Sequence, residues 1–233
     1  MLNGTSTTAY PFLAGGGELA GLIAGFDWAA TGLGPLQTWP GHMRSAVAIM
    51  LRSDVAIATL WGEHGVLIYN DAYAAFSGIR HPQVLGMRVR EAWSEAAAFN
   101  DHVLKVGLSG RTLSFQDQEL VLNRRGVAEQ VWMNLNYSPL LDDHGNPVGV
   151  WALVIDTTAK VQAERRLQDD RARFAQLFEQ APSFMAMLEG PQHRIVLANP
   201  GYLRLVGNRP VVGLPVAEAL PDASRIGWNT KST

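Results

Sequence analysis

Apolar and polar positions change period several times along the chain, and each change marks an element. Residues 1–25 are rich in Gly, Thr and Ala around Gly15-Gly16-Gly17 and read as a loose, flexible arm. Residues 26–40 set Phe26, Trp28, Leu33, Leu36 and Trp39 among Gly and Pro, the pattern of an irregular segment lying on an apolar surface. Met43, Val47, Met50 and Leu51 then recur at helical spacing and predict a helix over 41–53. From residue 55 the pattern is strand-like: VAIATLW (55–61) and VLIYN (66–70) flank Gly62-Glu63-His64-Gly65, which predicts a hairpin. Asn70 has the side chain to cap a helix over 71–77, and Gly78 to stop it. Further helical material is expected near 82–85, 89–95 and 98–108.

Three strands follow, over 112–121, 128–138 and 147–156, with a turn at Asp142–Asn146 between the last two. Val131, Met133, Leu135 and Tyr137 alternate with Gln130, Trp132, Asn134 and Asn136. Two strands, short helices, then three strands predict an α+β domain over 55–158: a five-stranded antiparallel sheet with short helices on one face. An N-terminal extension with a helix (26–54) precedes it, and an outgoing helix (159–180) follows Asp156-Thr157-Thr158. Leu167 and Phe174 lie seven apart on that helix, too few apolar positions for a coiled coil, which takes about 3–4 heptads.

The chain also repeats itself. Asn70, Tyr73, Gly78 and Arg80 match Asn199, Tyr202, Gly207 and Arg209 at a constant offset of 129 residues. Gly86 and Glu91 match Gly213 and Glu218 at an offset of 127. A period this long means tandem domains, not a solenoid. The second copy, residues 181–233, lacks the last three strands and is expected to be mobile, swapped or stabilised by a neighbour.

Composition narrows the function. The 233 residues hold 19 Lys+Arg against 21 Asp+Glu, a formal net charge of −2, so nucleic acid is not an expected partner. The absence of Cys excludes disulfides, thiolate chemistry and cysteinyl adducts and fits a reducing, cytoplasmic setting. No apolar run reaches the ~18 residues of a membrane span, and the N-terminus has no secretory pattern. The six His show no metal-ligand spacing, so no metal is expected. None is followed by Glu or Asp, and no Gly-rich nucleotide phrase occurs, so no kinase catalysis is expected in this chain.

Strand–strand–Asn-x-x-Tyr–Gly–short helices–three strands–Asp-Thr-Thr–amphipathic helix resembles a PAS domain. The phrases WGEHGVLIYNDAY, YSPLLDDHGNPVGVWALVIDTT and AERRL resemble the N-terminal sensory PAS domains of bacterial histidine kinases. The resemblance covers roughly residues 26–165, then 172–220 for the partial copy. It implies signal sensing, dimerisation through the extension or the outgoing helix, and relay to a downstream output domain. It also implies a lever at Asp156, Thr157 and Thr158, with Asn70 part of the relay. The output domain is expected to be a histidine kinase; a diguanylate cyclase, or a ligand-free dimerisation and spacer role, are the alternatives.

The flavin-binding light-sensing branch of that family needs a Cys after the Gly matching Gly86; here Met87-Arg88-Val89-Arg90 stands, so flavin-adduct chemistry is excluded. Haem-binding members place a His on the long helix before the third strand, which here carries His102, but its distance to Gly110 is about one helical turn shorter than in the oxygen-sensing kinases. A lone helical His reads more readily as an ordinary one, and no haem is expected. The candidate ligand pocket is the inward face: Tyr73, Phe76 and Trp93 from the helices, Met133, Leu135 and Tyr137 from one strand, and Trp151, with Leu153 and Ile155, from the next. A small-molecule cavity and a core filled by Trp151 are both open readings. Trp132 should face the other way, under residues 26–53 or a second subunit. An enzyme reading rests only on Asp27, Asp71 or His81, which have no partner at a suggestive spacing.

Overall fold

Strand β1 (Ala56–Trp61) turns through Gly62–Gly65 into β2 (Val66–Tyr69), pairing Ala58 with Tyr69 and Leu60 with Leu67. The structure, a computed structural model describing residues 9–220, completes this sheet with β3 (Leu113–Leu122), β4 (Glu129–Leu141) and β5 (Pro147–Asp156). The order is β2-β1-β5-β4-β3, antiparallel throughout, as the pattern of elements predicts. The chain divides into two compact units, residues 1–161 and 162–233.

Residues directly opposite in an antiparallel pair share a face. Leu135 faces Val154 and Tyr137 faces Ala152 across β4–β5, and Ala152 faces Ala58 across β5–β1. These residues, with Met133, form the inner face. Two helices precede the sheet, α1 (Gly17–Gly25) and α2 (Gly41–Leu51), and between β2 and β3 the chain supplies those that close over the inner face: α3 (Asp71–Ser77), α4 (Val89–Ala92) and α5 (Ala97–Gly107). One feature of β3 has no signature in its alternation: an extra residue between Phe115 and Gln118, with Asp117 at φ 45 and its N–H donating to Asn134 Oδ1. This bulge resets which residues point inward, so Phe115 and then Leu120 and Leu122 all reach the inner side.

The segment expected as a loose arm is folded over the described residues. Pro11–Leu13 form a 3-10 turn, Gly17–Gly25 form α1, and Leu13, Leu19 and Ile23 are completely buried. The physical reason is apolar area: Leu13, Leu19 and Ile23 cover the same cluster as Trp28, Trp39 and α2 (Gly41–Leu51), and each contributes on the order of 2 kcal/mol when buried. Residues 26–40 lie on that apolar surface as expected, in two 3-10 turns, with Trp28 and Trp39 packed edge to face. Residues 1–8 lie outside the described ones.

The N-terminus of α1 is capped from another helix. Asp71 accepts from the N–H groups of Glu18 (3.0 Å) and Leu19 (2.9 Å), because Gly16 at the cap position has no side chain to do so. Gly17, at φ 64, lets the carboxylate approach; a Cβ there would fall 1.8 Å from Asp71 Oδ2. Replacing Asp71 by Ala should lower stability by about 1 kcal/mol and the melting temperature by about 2–4 °C. Proteolysis should then open first within residues 9–25; an unchanged melt and cleavage pattern would count against the cap.

In the second unit, β6 (Ala186–Glu189) and β7 (Arg194–Ala198) form a hairpin followed by α7 (Pro200–Leu205) and α8 (Val216–Ala219). Its small core centres on Ile195, Val211 and Ala219. The repeat is visible in detail. Asn70 Oδ1 accepts from Tyr73 N–H at 3.0 Å and Ile57 N–H at 3.1 Å. Asn199 Oδ1 accepts from Tyr202 N–H at 2.8 Å and Met185 N–H at 2.9 Å. Each Asn caps one helix and pins the strand two elements earlier. Residues 221–233 lie outside the described ones.

Candidate functional site

Between α3–α5 and the sheet lies a small cavity of about 50 Å³ that opens to the surface. Its lining joins Tyr73 and Phe76 from α3, Trp93 after α4, and Phe99 and Asn100 from α5. The sheet adds Leu120 and Leu122 from β3, Met133, Leu135 and Tyr137 from β4, and Val154 from β5. Tyr73, Phe76, Trp93, Met133, Leu135 and Tyr137 are therefore where the alternation and helix spacing place them.

Trp151 is not. It faces Thr59 on β1 and Ser138 on β4, on the outer side of the sheet with Leu153 and Ile155, while Val154 takes the cavity position. The filled-core reading that leaned on Trp151 loses that support. Its indole instead packs, half-buried, against the cluster that includes the N-terminal helices. Trp132 also faces outward and is buried within the chain, its backbone N–H donating to Thr158 Oγ1.

Aromatic rings form the walls. Tyr73 and Phe76 lie 5.3 Å apart, Phe76 and Trp93 5.7 Å, and Phe99 and Tyr137 6.2 Å between centroids. The Trp93 indole N–H donates to Tyr73 Oη at 2.9 Å. Burial pushes the Tyr73 hydroxyl above the ordinary tyrosine range, against a smaller opposing effect of the Trp93 hydrogen bond. Burial does the same to Tyr137, helped by the neighbouring Tyr73. Both hydroxyls are protonated donors at neutral pH.

Two arginines stand behind the walls. The Arg80 guanidinium sits 4.6 Å over Trp93 and is held by Glu95 (2.6 Å), the Asn123 carbonyl (2.8 Å) and the Ala92 carbonyl. Arg124 sits 4.9 Å over Phe76 and pairs with Glu129 (2.7 Å) and Asp156 (2.8 Å). Its carbonyl accepts from Ile79 N–H, and a Cβ on Gly78 would lie 2.3 Å from that oxygen, which explains a glycine at φ 61 there. The sequence reading missed Arg124; the run Asn123-Arg124-Arg125-Gly126 looks like a solvated turn, and only the fold shows one guanidinium turned inward.

Arg124 joins the cavity wall to the start of α6 (Thr158–Gln180). Asp156 Oδ1 accepts from Thr158 N–H at 2.9 Å, and Thr157 N–H donates to the Trp132 carbonyl at 2.8 Å. Burial opposes ionisation of Asp156, but hydrogen bonds from Thr158 and Arg124 outweigh it and hold the carboxyl below its usual range. Lys160 reaches Asp117 at the β3 bulge, 3.5 Å away. Asn70 is not part of this junction. Fully buried, it donates to the carbonyls of Val55, Ser53 and Met50 and fastens α3 to β1 and to the end of α2.

The remaining candidates are engaged elsewhere. His102 is exposed on α5, and no histidine lines the cavity. His81 Nδ1 pairs with Tyr69 Oη at 3.0 Å and its Nε2 lies 3.5 Å from Glu18, while Asp71 caps α1. Asp27 precedes the 3-10 turn at Trp28, and its side chain makes no cap there. Among the described residues no group of three or more His, Asp or Glu could hold a metal, and no helix is long and apolar enough to cross a membrane. A larger open groove of about 550 Å³ runs along the β1–β2 turn past Trp61, His64 and Arg88. None of the buried unpaired polar atoms among the described residues belongs to its lining.

With the cavity, the five-stranded order and the Asp156–Thr158 junction in place, sequence profiles agree. One described as PAS fold matches residues 51–162, and one described as PAS domain matches residues 172–230. The chain belongs to the PAS domain family. No curated protein matches the sequence. Solved structures similar to it include the PAS domain of Bordetella pertussis BvgS, 19% identical over 57% of this chain and 99% of that one, at a TM-score of 0.43. An RNA-binding light-oxygen-voltage receptor is 19% identical at a TM-score of 0.42, over 61% of this chain, which spans only 40% of that receptor. A sensory box sensor histidine kinase from Vibrio cholerae is 17% identical over 49% of this chain and 86% of that one, at a TM-score of 0.35. The first PAS domain is thus complete in strands, and the second matches through its hairpin and first helices.

Proposed function

We propose that this chain is the sensory input region of a bacterial signalling protein, one that relays occupancy of the cavity between α3–α5 and the sheet into α6. The observation that carries this reading is the Arg124 bridge: one buried side chain lies against cavity wall Phe76 and holds Asp156 at the root of α6. Anything that displaces Phe76 changes the seat of the guanidinium, and with it the hydrogen bonds that start the helix. A population shift between two seats is enough for output, provided the ligand prefers one. The reading is one of recognition: Asp71 caps α1, and His81 is engaged by Tyr69 Oη. The phrases WGEHGVLIYNDAY and AERRL favour a two-component histidine kinase as the output, with a diguanylate cyclase as the alternative. Dimerisation fits α6 better than the N-terminal extension. Leu167, Phe174 and Leu177 are exposed on α6, whereas Trp28, Trp39, Met43 and Val47 of the extension are buried.

Amide hydrogen exchange tests the relay. Phe76→Ala should change exchange at Thr158–Val161 by about tenfold, within the usual range of coupling energies. The same change made in an Arg124→Met background should leave those amides where Arg124→Met alone puts them. An equal response in both backgrounds would remove Arg124 from the path and the relay with it.

A further inference from the structure

Two histidines lie on the seam between the N-terminal segment and the PAS domain, one on each side. His42 belongs to α2, and its Nδ1 lies 3.7 Å from Asp143 Oδ1 in the turn between β4 and β5. His81 follows the 3-10 turn after α3, and its Nε2 lies 3.5 Å from Glu18 Oε1 at the start of α1. Both ring nitrogens are buried and have no hydrogen-bond partner. The carboxylates opposite them are free to swing: Asp143 and Glu18 keep 73% and 71% of their side-chain surface, against 19% and 16% for the two histidines. Each seam contact therefore sets an unsatisfied ring nitrogen against the one group that can reach it.

Protonation decides whether these pairs close. A neutral imidazole has one N–H and one lone pair, whereas the imidazolium has two N–H groups and a charge. Nδ1 of His81 is taken by Tyr69 Oη at 3.0 Å. Burial, reinforced by Glu18, keeps that phenol protonated, so its oxygen can donate to a neutral ring and accept from a charged one. His81 thus meets Tyr69 from β2 and Glu18 from α1, with the Asp71 carboxylate of α3 bonded to the Glu18 N–H. Neighbouring Arg80 is turned away onto Trp93 and Glu95. His42 meets Asp143 and the uncharged ring of Trp61; His144, beside Asp143 in the turn, is exposed. We propose that His42 and His81 form a proton-operated latch: once charged, each closes on the carboxylate opposite and seats the N-terminal segment more firmly on the PAS domain. The histidine belongs to the segment in one pair and to the domain in the other, yet both pairs close in the same direction of pH. Burial opposes the charge on each ring, and an approaching carboxylate offsets it. Imidazole is the side chain that changes charge between about pH 5 and 8. The seated state binds more protons than the lifted one, so by linkage seating strengthens as pH falls and weakens as it rises. The latch involves neither the cavity nor Arg124 and does not depend on the relay proposed above.

Amide exchange in the full chain between pH 5 and 8 tests the latch, each rate being divided by that of an unstructured peptide at the same pH. Ala20 in α1 and Val47 in α2 report on the segment, referenced to Val103, a buried residue of α5. From pH 8 to pH 5 their protection relative to Val103 should rise about fivefold. Glu18→Gln and Asp143→Asn, both at exposed positions, should each remove part of that rise, and the double variant all of it. His144→Gln, which leaves both pairs in place, should keep it. The proposal is overturned if the wild-type ratio is flat or falls toward pH 5, if the double variant still shows the rise, or if His144→Gln alone abolishes it.

Discussion

Replacing Arg124 by Ala should destabilise the first PAS domain by about 3 kcal/mol, read as a shift of the urea midpoint at unchanged slope. The side chain is only 9% exposed and serves two carboxylates and an aromatic face at once. Its removal strands Glu129 and Asp156 and uncovers Phe76. The carboxylates keep 22% and 37% of their side-chain surface, so solvent offsets part of the loss and the cost falls at the low end for a severed buried pair. Arg124→Lys should fall between wild type and Ala, since an ammonium keeps the charge but loses the fork that reaches both acids and the flat stack on the ring. A loss below about 1 kcal/mol for Arg124→Ala would show the bridge to be a surface pair in effect. The bridge also has a pH signature. Asp156 is held below its ordinary value of 3.8 in the folded state. Its contribution is therefore full above that value and disappears as pH falls through the lower, folded one. The stability gap between wild type and Asp156→Asn should be constant near neutrality and close below about pH 4.

The second large effect is expected at Asn70. Its amide oxygen takes two buried N–H groups, Ile57 and Tyr73, and its amide nitrogen serves three carbonyls, the shortest contact being 2.7 Å to Val55. Asn70→Ala leaves these groups without a partner in a site with no exposure at all. The cost should be about 3 kcal/mol, more than a surface cap because the strand entry is lost with the helix start. The melting temperature should fall by about 6–12 °C. Asn70→Asp is the informative companion: it keeps the acceptor for Tyr73 and Ile57 and faces three carbonyls with a second oxygen. It should be as damaging as Ala if the donor half of the side chain matters, and nearly harmless if only the cap does.

These residues also show what a sequence can reveal. Asn70 was legible because a cap has a local rule: a short polar side chain before an amphipathic run. Its twin Asn199 strengthened the reading, and the structure gives both the same bonds. Met133, Leu135 and Tyr137 were legible because polar residues alternate with them on β4. Trp151 was not, because β5 is apolar on both faces: Val150, Ala152 and Val154 face the helices, and Trp151 and Leu153 face the other side. Alternation carries no information where both sides are covered. The cover itself was hidden for a related reason. Leu13, Leu19 and Ile23 are scattered among glycines that suggest looseness, yet those glycines allow the close turns that bring the leucines down. Arg124 was invisible because nothing local distinguishes an arginine that folds inward over Phe76 from its neighbour Arg125.

The cover on one half of the sheet has a mechanical consequence. All of β2 and nearly all of β1 are buried, whereas β3 alternates between half-buried and exposed positions along most of its length. The sheet therefore has a stiff margin, clamped between two layers, and a compliant margin clad on one side only. A strain introduced at the helices spreads toward the softer margin, where β4 and the bulged β3 meet the root of α6. The N-terminal segment, by bracing the far side, sets the direction in which the domain yields.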